Sequence, residues 1–367
     1  MKIVFDHQIF SMQEYGGISR YFVELALGLN LLHDTKVTIA APLHVNQYLR
    51  QAVPNIATTG FSLKKFKGSG LLLPPINSFI NSSMLKLTQT DIVHETYYSF
   101  QRYAPESTKI VLTVFDMIHE LFPEYYSASD PTSKMKAAAV ARADHIICIS
   151  RQTQSDLINL LKVDPAKTTV IHLGFKLSTQ QIQQCHQSNI SPYLLYVGTR
   201  TGYKNFEGFL RAVASCSTLQ KAYRVICFGG GPFSSKELEL IKELGFDENR
   251  VCQLTGSDAI LASLYKEAHA FVYPSLYEGF GIPPLEAMSV GCPVVCSNTS
   301  SIPEVVGDAG LYFNPLNTAE IKNAIESVSS NETLRSSLIA AGYKRIQNFS
   351  WEQCAAETFK VYQKVLA

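Results

Sequence analysis

Glu278 and Glu286 bracket a turn in the stretch Tyr273 to Val306, YPSLYEGFGIPPLEAMSVGCPVVCSNTSSIPEVV. The apolar run AHAFVY before it predicts a short buried strand that Pro274 ends. LEAMSVG after it predicts one short helix, because Pro283 and Pro284 suit a first turn that needs no N–H and Gly291 suits the exit. Gly279 and Gly281 form the turn between strand and helix. A helix start exposes free N–H groups and the positive end of the peptide dipoles, so it attracts an anion such as phosphate. Two carboxylates beside that anion would repel it; they suit the hydroxyls of an attached sugar instead. The chemistry expected is therefore recognition of a sugar joined to phosphate.

Other residues fall at comparable places. YLLYVGT predicts a strand, and RTGYKN opens the helix FEGFLRAVASC, which points Arg200 and Lys204 at the same crevice as two cations for a diphosphate. At the N-terminus, MKIVFDH predicts a strand followed by the turn Gly16-Gly17 and an amphipathic helix ISRYFVELALGLN. DIVHETYY, KIVLTVFDMIHE and ADHIICIS predict parallel strands whose C-terminal ends carry His94, Asp116, His119 and Ser150. Asp116 with His119 is the better candidate pair, since both follow one strand within a turn. His94, a lone histidine, reads more simply as structural. The triple glycine in YRVICFGGGP is followed by Pro232, so the GxGxxG pattern is not met and NAD is not expected.

These residues need α/β scaffolding to position them. The strand and helix patterns alternate twice, separated by Ser178 to Ser191, a glutamine-containing polar stretch that reads as an interdomain linker. The 367 residues suffice for two domains, each with its own core. Hydrophobic content of 46% with 17% charged residues excludes a disordered chain, and a net charge of +1 gives no reason to expect nucleic acid. MKIVF meets Asp6 and His7 before an apolar core develops, so no secretory signal is expected, and no apolar run approaches the ~18 residues of a membrane span. The eight cysteines are scattered without a CxxC pair, which predicts buried reduced thiols rather than a zinc site or disulfide framework. Residues 43 to 90 are less regular. There Lys64, Lys65 and Lys67 precede GSGLLLPPINSFINSSMLKL, readable as a basic, apolar surface for anionic lipid or as a solvated loop with a packed helix.

PSLYEGFGIPPLEAMSVGCPVV, YVGTRTGYKN, YGGISRYF and FSWEQCA together resemble the retaining glycosyltransferases of family 4 over nearly the whole chain, with the paired-glutamate run the most specific piece. The resemblance implies the GT-B fold, two Rossmann-like α/β domains facing a central cleft. Residues 1–180 would form an acceptor-side domain, 181–350 a nucleotide-sugar-binding domain, and 351–367 a helix crossing back to the first and permitting hinge closure. It further implies that Gly16 and Gly17 approach the donor phosphates, and that Arg200 and Lys204 neutralise the diphosphate leaving group in place of a metal. Glu278 would meet the transferred sugar, the N–H groups of Phe280, Gly281 and Ile282 would hold sugar and phosphate, and Glu286 would bind the ribose. Many family members carry His-Asp where this chain has Phe115-Asp116, and His119 is the candidate substitute.

On that resemblance the expected activity is retaining hexosyl transfer without a metal or other cofactor. QIFSMQEYGGISRYF and DMIHELFPE are similar to bacterial enzymes of surface-polysaccharide synthesis, which makes GDP-mannose the first donor and a UDP-sugar the next. The expected acceptor is a glycan or lipid-linked glycan, met by a cytoplasmic protein in peripheral contact with the inner face of the membrane. A sugar-nucleotide epimerase of the same fold would turn over a donor without a second substrate, and a non-catalytic nucleotide-sugar-binding module would turn over nothing. A pyridoxal-phosphate phosphorylase is disfavoured, since no lysine lies in a recognisable cofactor pattern.

Overall fold

The computed structural model describes residues 1–32, 35–87, 89–177 and 192–367, the side chains of 86 and 87 apart. The stretch read as a linker, 178–191, lies outside the described residues. The chain divides into two compact units, one of residues 1–174 with 350–367 and one of residues 175–349.

The N-terminal unit is built on seven parallel strands: β1 (Lys2–Phe5), β2 (Lys36–His44), β3 (Ala57–Ser62), β4 (Ile92–Glu95), β5 (Lys109–Val114), β6 (His145–Cys148) and β7 (Thr168–Val170). Their order is β3-β2-β1-β4-β5-β6-β7. The central strands read as near-continuous apolar runs because helices cover both faces of the sheet, and Ile3, Val93, Ile110 and Ile146 are buried. The C-terminal unit has six parallel strands: β8 (Tyr193–Val197), β9 (Arg224–Phe228), β10 (Val251–Leu254), β11 (Ala270–Tyr273), β12 (Val294–Ser297) and β13 (Gly310–Phe313), ordered β10-β9-β8-β11-β12-β13. Its core joins Leu194, Tyr196 and Val272 of the sheet to Phe206, Phe209 and Leu210 of the helix Phe206–Ala214.

Parallel strands put all their C-terminal ends on one edge. In each sheet the chain also reverses its direction of growth once, between β1 and β4 in the first and between β8 and β11 in the second. At such a switch point the two flanking loops part, and a ligand crevice opens between them. In the C-terminal unit those loops are 198–205 and 274–281, the ones that carry Lys204 and Glu278.

The helix Trp351–Leu366 belongs to the N-terminal unit. The Tyr362 hydroxyl lies 2.6 Å from His94 Nδ1, the Trp351 ring packs 6.1 Å from Tyr21, and Ala355 fills the space left by Gly28. His94 Nε2 is 2.8 Å from the Thr113 hydroxyl, so its ring is fully engaged inside the core and serves the fold. The buried thiols of Cys148, Cys292 and Cys354 are each pushed up to about 12 by desolvation, which keeps them as inert packing groups.

Two regions hold strands that the sequence pattern does not mark. Residues 43–90 contain the edge strand β3 and a helix, Ser69–Leu87, that continues through Pro74 and Pro75. β3 escapes a hydrophobic reading because ATTGFS is almost wholly at the surface. β12, within GCPVVCS, is hidden inside the glutamate-bearing stretch.

Burial lowers the His94 pKa from 6.5 to about 3. The unfolded chain therefore takes up this proton as pH falls through about 6.5 while the native core refuses it until about 3. Stability is full above 6.5 and falls by ~1.4 kcal/mol per pH unit below it from this residue alone. Denaturant titrations from pH 7 to 4 should show this loss, and His94→Gln should have a shallower slope; an unchanged slope would mean that His94 is not buried neutral.

Candidate functional site

The strongest constellation lies at the switch point of the C-terminal sheet. Lys204 ends the short helical turn Gly202–Lys204 after β8, and Glu278 lies in the loop after β11. Lys204 Nζ donates to both carboxylate oxygens of Glu278, at 2.7 and 2.9 Å. The loops are also tied through their backbones. Leu276 N–H donates to the Tyr203 carbonyl at 2.7 Å, and the Asn205 side-chain amide donates to Pro274 O at 3.1 Å and Pro315 O at 2.8 Å. Asn205 does this from a left-handed conformation, φ 51°, which asparagine tolerates better than most residues.

Glu278 is fixed from below. Its N–H donates to the Ser300 hydroxyl at 2.9 Å, and Ser301 donates to the carbonyls of Glu278 and Phe280, both at 2.8 Å. The buried Tyr273 phenol hydrogen-bonds its carboxylate, and desolvation first, then the Glu278 charge, raises that phenol well above 10. The helix Ile282–Ser289 starts directly after this loop, capped by Gly281 at φ 109°, a conformation that requires glycine, with prolines in the first turn. Glu286 lies inside the helix and accepts from the Tyr265 hydroxyl at 3.3 Å. The structure thus places Glu278, Phe280, Gly281, Ile282 and Glu286 on one loop and helix start, beside Lys204.

Arg200 is placed differently from the open cation expected. Instead of projecting as an open cation, its guanidinium is buried and turned into the unit. It donates to Glu237 at 2.7 Å and to the carbonyls of Gly229, Gly231 and Pro232 at 2.9, 2.9 and 3.1 Å, and it lies 4.7 Å from the Phe233 ring. The triple-glycine turn after β9, all at positive φ, curls around this group, and a Cβ on Gly230 would come within 2.7 Å of it. Arg200 is a staple that holds the 198–205 loop to the turn after β9.

On the N-terminal unit, Gly16 and Gly17 follow β1. Gly17 is the first residue of the helix Gly17–Asn30, and a Cβ there would meet nothing within 4 Å. A Cβ on Gly16 would strike the Gln13 amide, whose Oε1 accepts from Ser19 N–H at 3.3 Å. Asp116 and His119 have separate partners. Asp116 Oδ1 accepts from Ile118 N–H at 3.0 Å and lies 3.8 Å from the buried Lys136 ammonium. His119 stacks on Tyr126 at 3.9 Å, with Asp130 4.0 Å from Nε2. Phe115, at the family's histidine position, is buried edge-on to Tyr21. Among the described residues no cluster of His, Cys, Asp and Glu has the makings of a metal site.

Several supporting residues carry no usable signal in the sequence. Tyr273, Ser300 and Ser301 all lie within the glutamate-bearing stretch, yet hydroxyl residues at strand ends are too common to single out. Glu237 and Lys136 act across 37 and 20 positions. Glu95 at the end of β4 makes a two-point contact with Arg142 at 2.9 and 2.6 Å, while burial pushes its carboxyl upward to about 7.

Comparison with known proteins bears on the family and the fold. The family profile described as Glycosyltransferase Family 4 matches residues 15–179, and that described as Glycosyl transferases group 1 matches 179–345. O-antigen chain mannosyltransferase B of Escherichia coli is 32% identical over 73% of this chain and 74% of its own. O-antigen chain mannosyltransferase RfbU of Salmonella typhimurium is 24% identical over 85% of this chain and 87% of its own. Among solved structures, sucrose-phosphate synthase from Thermosynechococcus elongatus superposes with a TM-score of 0.75 at 20% identity, covering 99% of this chain and 98% of that one. HepE of Anabaena, solved with UDP and glucose, superposes at 0.72 with 20% identity and 99% coverage of both. These likenesses show the GT-B fold, two parallel-sheet α/β domains.

Two substitutions separate support from chemistry. Arg200→Ala strands Glu237 and three loop carbonyls and should cost the C-terminal unit about 3 kcal/mol, read by denaturant melting; wild-type stability would contradict the staple. Gly17→Ala enters open space at a helical position, so it should leave stability unchanged or raise it by about 0.4–1 kcal/mol while slowing turnover. Normal turnover in that variant would remove Gly17 from the site.

Proposed function

The chain belongs to glycosyltransferase family 4, and from that premise we propose that it is a retaining mannosyltransferase using GDP-mannose to extend a glycan or lipid-linked acceptor in bacterial surface-polysaccharide synthesis. The observation that carries the reading is the Lys204–Glu278 pair at the start of the helix Ile282–Ser289. It joins a cation suited to phosphate, a carboxylate suited to hydroxyls and a helix start suited to an anion. The names of the E. coli and Salmonella relatives support mannose as the sugar and O-antigen-type glycan as the product. A UDP-sugar is the alternative donor, supported by the Anabaena structure with UDP and glucose bound.

Each group has a part in this reading. The donor's diphosphate takes Lys204 from Glu278, and the ammonium follows it as a compact charge on a flexible stem. Exchange is inexpensive because a desolvated ion pair gains little net stability over its parts, so a second anion competes on even terms. Glu278, freed from the lysine and held by Tyr273 and Ser300, accepts from the mannose hydroxyls. The N–H groups of Phe280, Gly281 and Ile282 bind the sugar and phosphate, Glu286 binds the ribose, and the Gly16-Gly17 backbone approaches the phosphates. Arg200 positions the loops. Asp116 and His119 are the proposed groups on the acceptor-side unit.

In the transfer step the bond from sugar C1 to the phosphate oxygen breaks, and the acceptor oxygen bonds to C1 on the same face. The acceptor's proton passes to the departing phosphate oxygen, and GDP leaves. No protein base and no metal ion is required. Catalysis rests on stabilising charge on the diphosphate and on orientation. The proposed setting is cytoplasmic, with peripheral contact at the inner membrane face; among the described residues no helix is long and apolar enough to cross a membrane.

Incubation with a panel of GDP- and UDP-sugars and a lipid-linked glycan acceptor should give acceptor-dependent release of GDP from GDP-mannose and a product with retained anomeric configuration. Lys204→Ala should lose about two to three orders of magnitude in kcat. Donor conversion without an acceptor would favour an epimerase, and near-normal turnover by Lys204→Ala would overturn the assignment.

A further inference from the structure

The helix Ser69–Leu87 is amphipathic in the wrong sense for a protein surface. Its inward face carries Asn77 and Asn81 with Leu73 and Leu85, all buried. The Asn77 amide donates to Leu43 O and to the Ser11 hydroxyl, both at 2.7 Å, and its carbonyl accepts from Leu43 N–H at 2.8 Å; Asn81 donates to Ala40 O at 2.8 Å. These asparagines dock the helix on β2 by hydrogen bonds. The outward face carries Leu71, Leu72, Ile76 and Phe79, which are 83%, 56%, 45% and 78% exposed. A surface helix normally buries residues such as the second set and exposes asparagines such as Asn77 and Asn81. The adjoining segment adds exposed Phe61 and Phe66. An apolar patch of this kind marks a surface that is covered in use.

Charge decides what covers it. Exposed Lys64, Lys65 and Lys67 flank the patch, and between Asp34 and Asp91 the sequence contains Lys36, Arg50, Lys64, Lys65, Lys67 and Lys86 but no Asp or Glu. The whole chain is nearly balanced at net +1, so this one-signed stretch is local. Leucine and phenylalanine side chains that insert shallowly, rimmed by lysines with no acid among them, fit the interface of a bilayer with anionic headgroups. A second copy of this surface would set like charges against each other.

We propose that Phe61, Phe66, Leu71, Leu72, Ile76 and Phe79, with Lys64, Lys65 and Lys67, form a docking surface for an anionic lipid bilayer. The lysine loop leaves the sheet from the C-terminal edge of β3, the edge that also carries the Gly16-Gly17 turn and Asp116. Docking there brings that edge to the lipid, where a lipid-linked acceptor would be presented. The inference deepens the peripheral-membrane part of the proposed function and rests on it only for that last point.

Co-sedimentation of the full chain with vesicles of equal parts phosphatidylcholine and phosphatidylglycerol, and with phosphatidylcholine alone, tests it. The wild type should pellet with the anionic vesicles and bind the neutral ones far more weakly. Lys64→Glu/Lys65→Glu/Lys67→Glu should bind at least about a hundredfold more weakly. Leu72→Ser/Phe79→Ser should also lose binding, and both variants should keep the wild-type melting midpoint, since the changed side chains are exposed. Failure of the wild type to pellet, or equal pelleting by the variants, overturns the proposal. So does a vesicle-free wild-type dimer that Leu72→Ser/Phe79→Ser converts to monomer, because a second copy would then be the occupant. Transfer to a water-soluble acceptor, measured separately, keeps the two readings apart: a wild type that binds no vesicles yet carries out transfer refutes only the docking surface.

Discussion

The C-terminal unit is arranged around one ion pair between residues that strand order, not sequence proximity, brings together. Lys204 and Glu278 are 74 positions apart and meet because β8 and β11 are neighbours at the point where the sheet reverses its growth. Almost every supporting contact keeps this pair in place. Asn205 and Tyr203 tie its two loops, Ser300 and Ser301 hold the Glu278 backbone, and Tyr273 holds the carboxylate. A desolvated pair of this kind contributes little net stability but is costly to leave half-made. In the proposed reading its value is positional: it stores a cation and a carboxylate in register until a ligand that offers an anion and hydroxyls takes both.

Arg200 is held by the protein's own groups at the crevice. Four of its hydrogen bonds are spent on Glu237 and the turn after β9, and two phenylalanine rings cover its faces. In the proposed reading, charge stabilisation falls on Lys204 and on the helix start, and the arginine fixes the geometry in which they act. The N-terminal unit makes a similar division. Lys136 and the Tyr126 ring hold the Asp116 and His119 segment, while Gly17 leaves its surroundings open.

Much of this is legible in the sequence, for reasons that differ by region. The strand, glycine turn and proline-led helix around Glu278 are local punctuation, so the loop and helix start that carry the two glutamates can be read directly. The alternation of strands is legible because parallel strands buried on both faces are nearly all apolar. Arg200 misleads because a charge at a turn does not say which way it points, and its partner Glu237 lies 37 residues on. The helix Ser69–Leu87 is legible as a packed helix, but its inward face is not, because hydrophobic periodicity assumes that the apolar face turns inward. Here two asparagines, bonded to the backbone of β2, reverse it.

The most direct test of the central claim is calorimetric titration of GDP and of GDP-mannose into the wild type, Lys204→Ala and Glu278→Gln. If the pair opens to divide its halves between diphosphate and sugar, Lys204→Ala should weaken both ligands by a similar factor of at least about ten, as expected for a lost charged hydrogen bond. Glu278→Gln should weaken GDP-mannose but leave GDP bound as tightly or more so, because the lysine no longer has to be released. Wild-type affinity for both ligands in Lys204→Ala, or an equal loss for both in Glu278→Gln, would contradict the account.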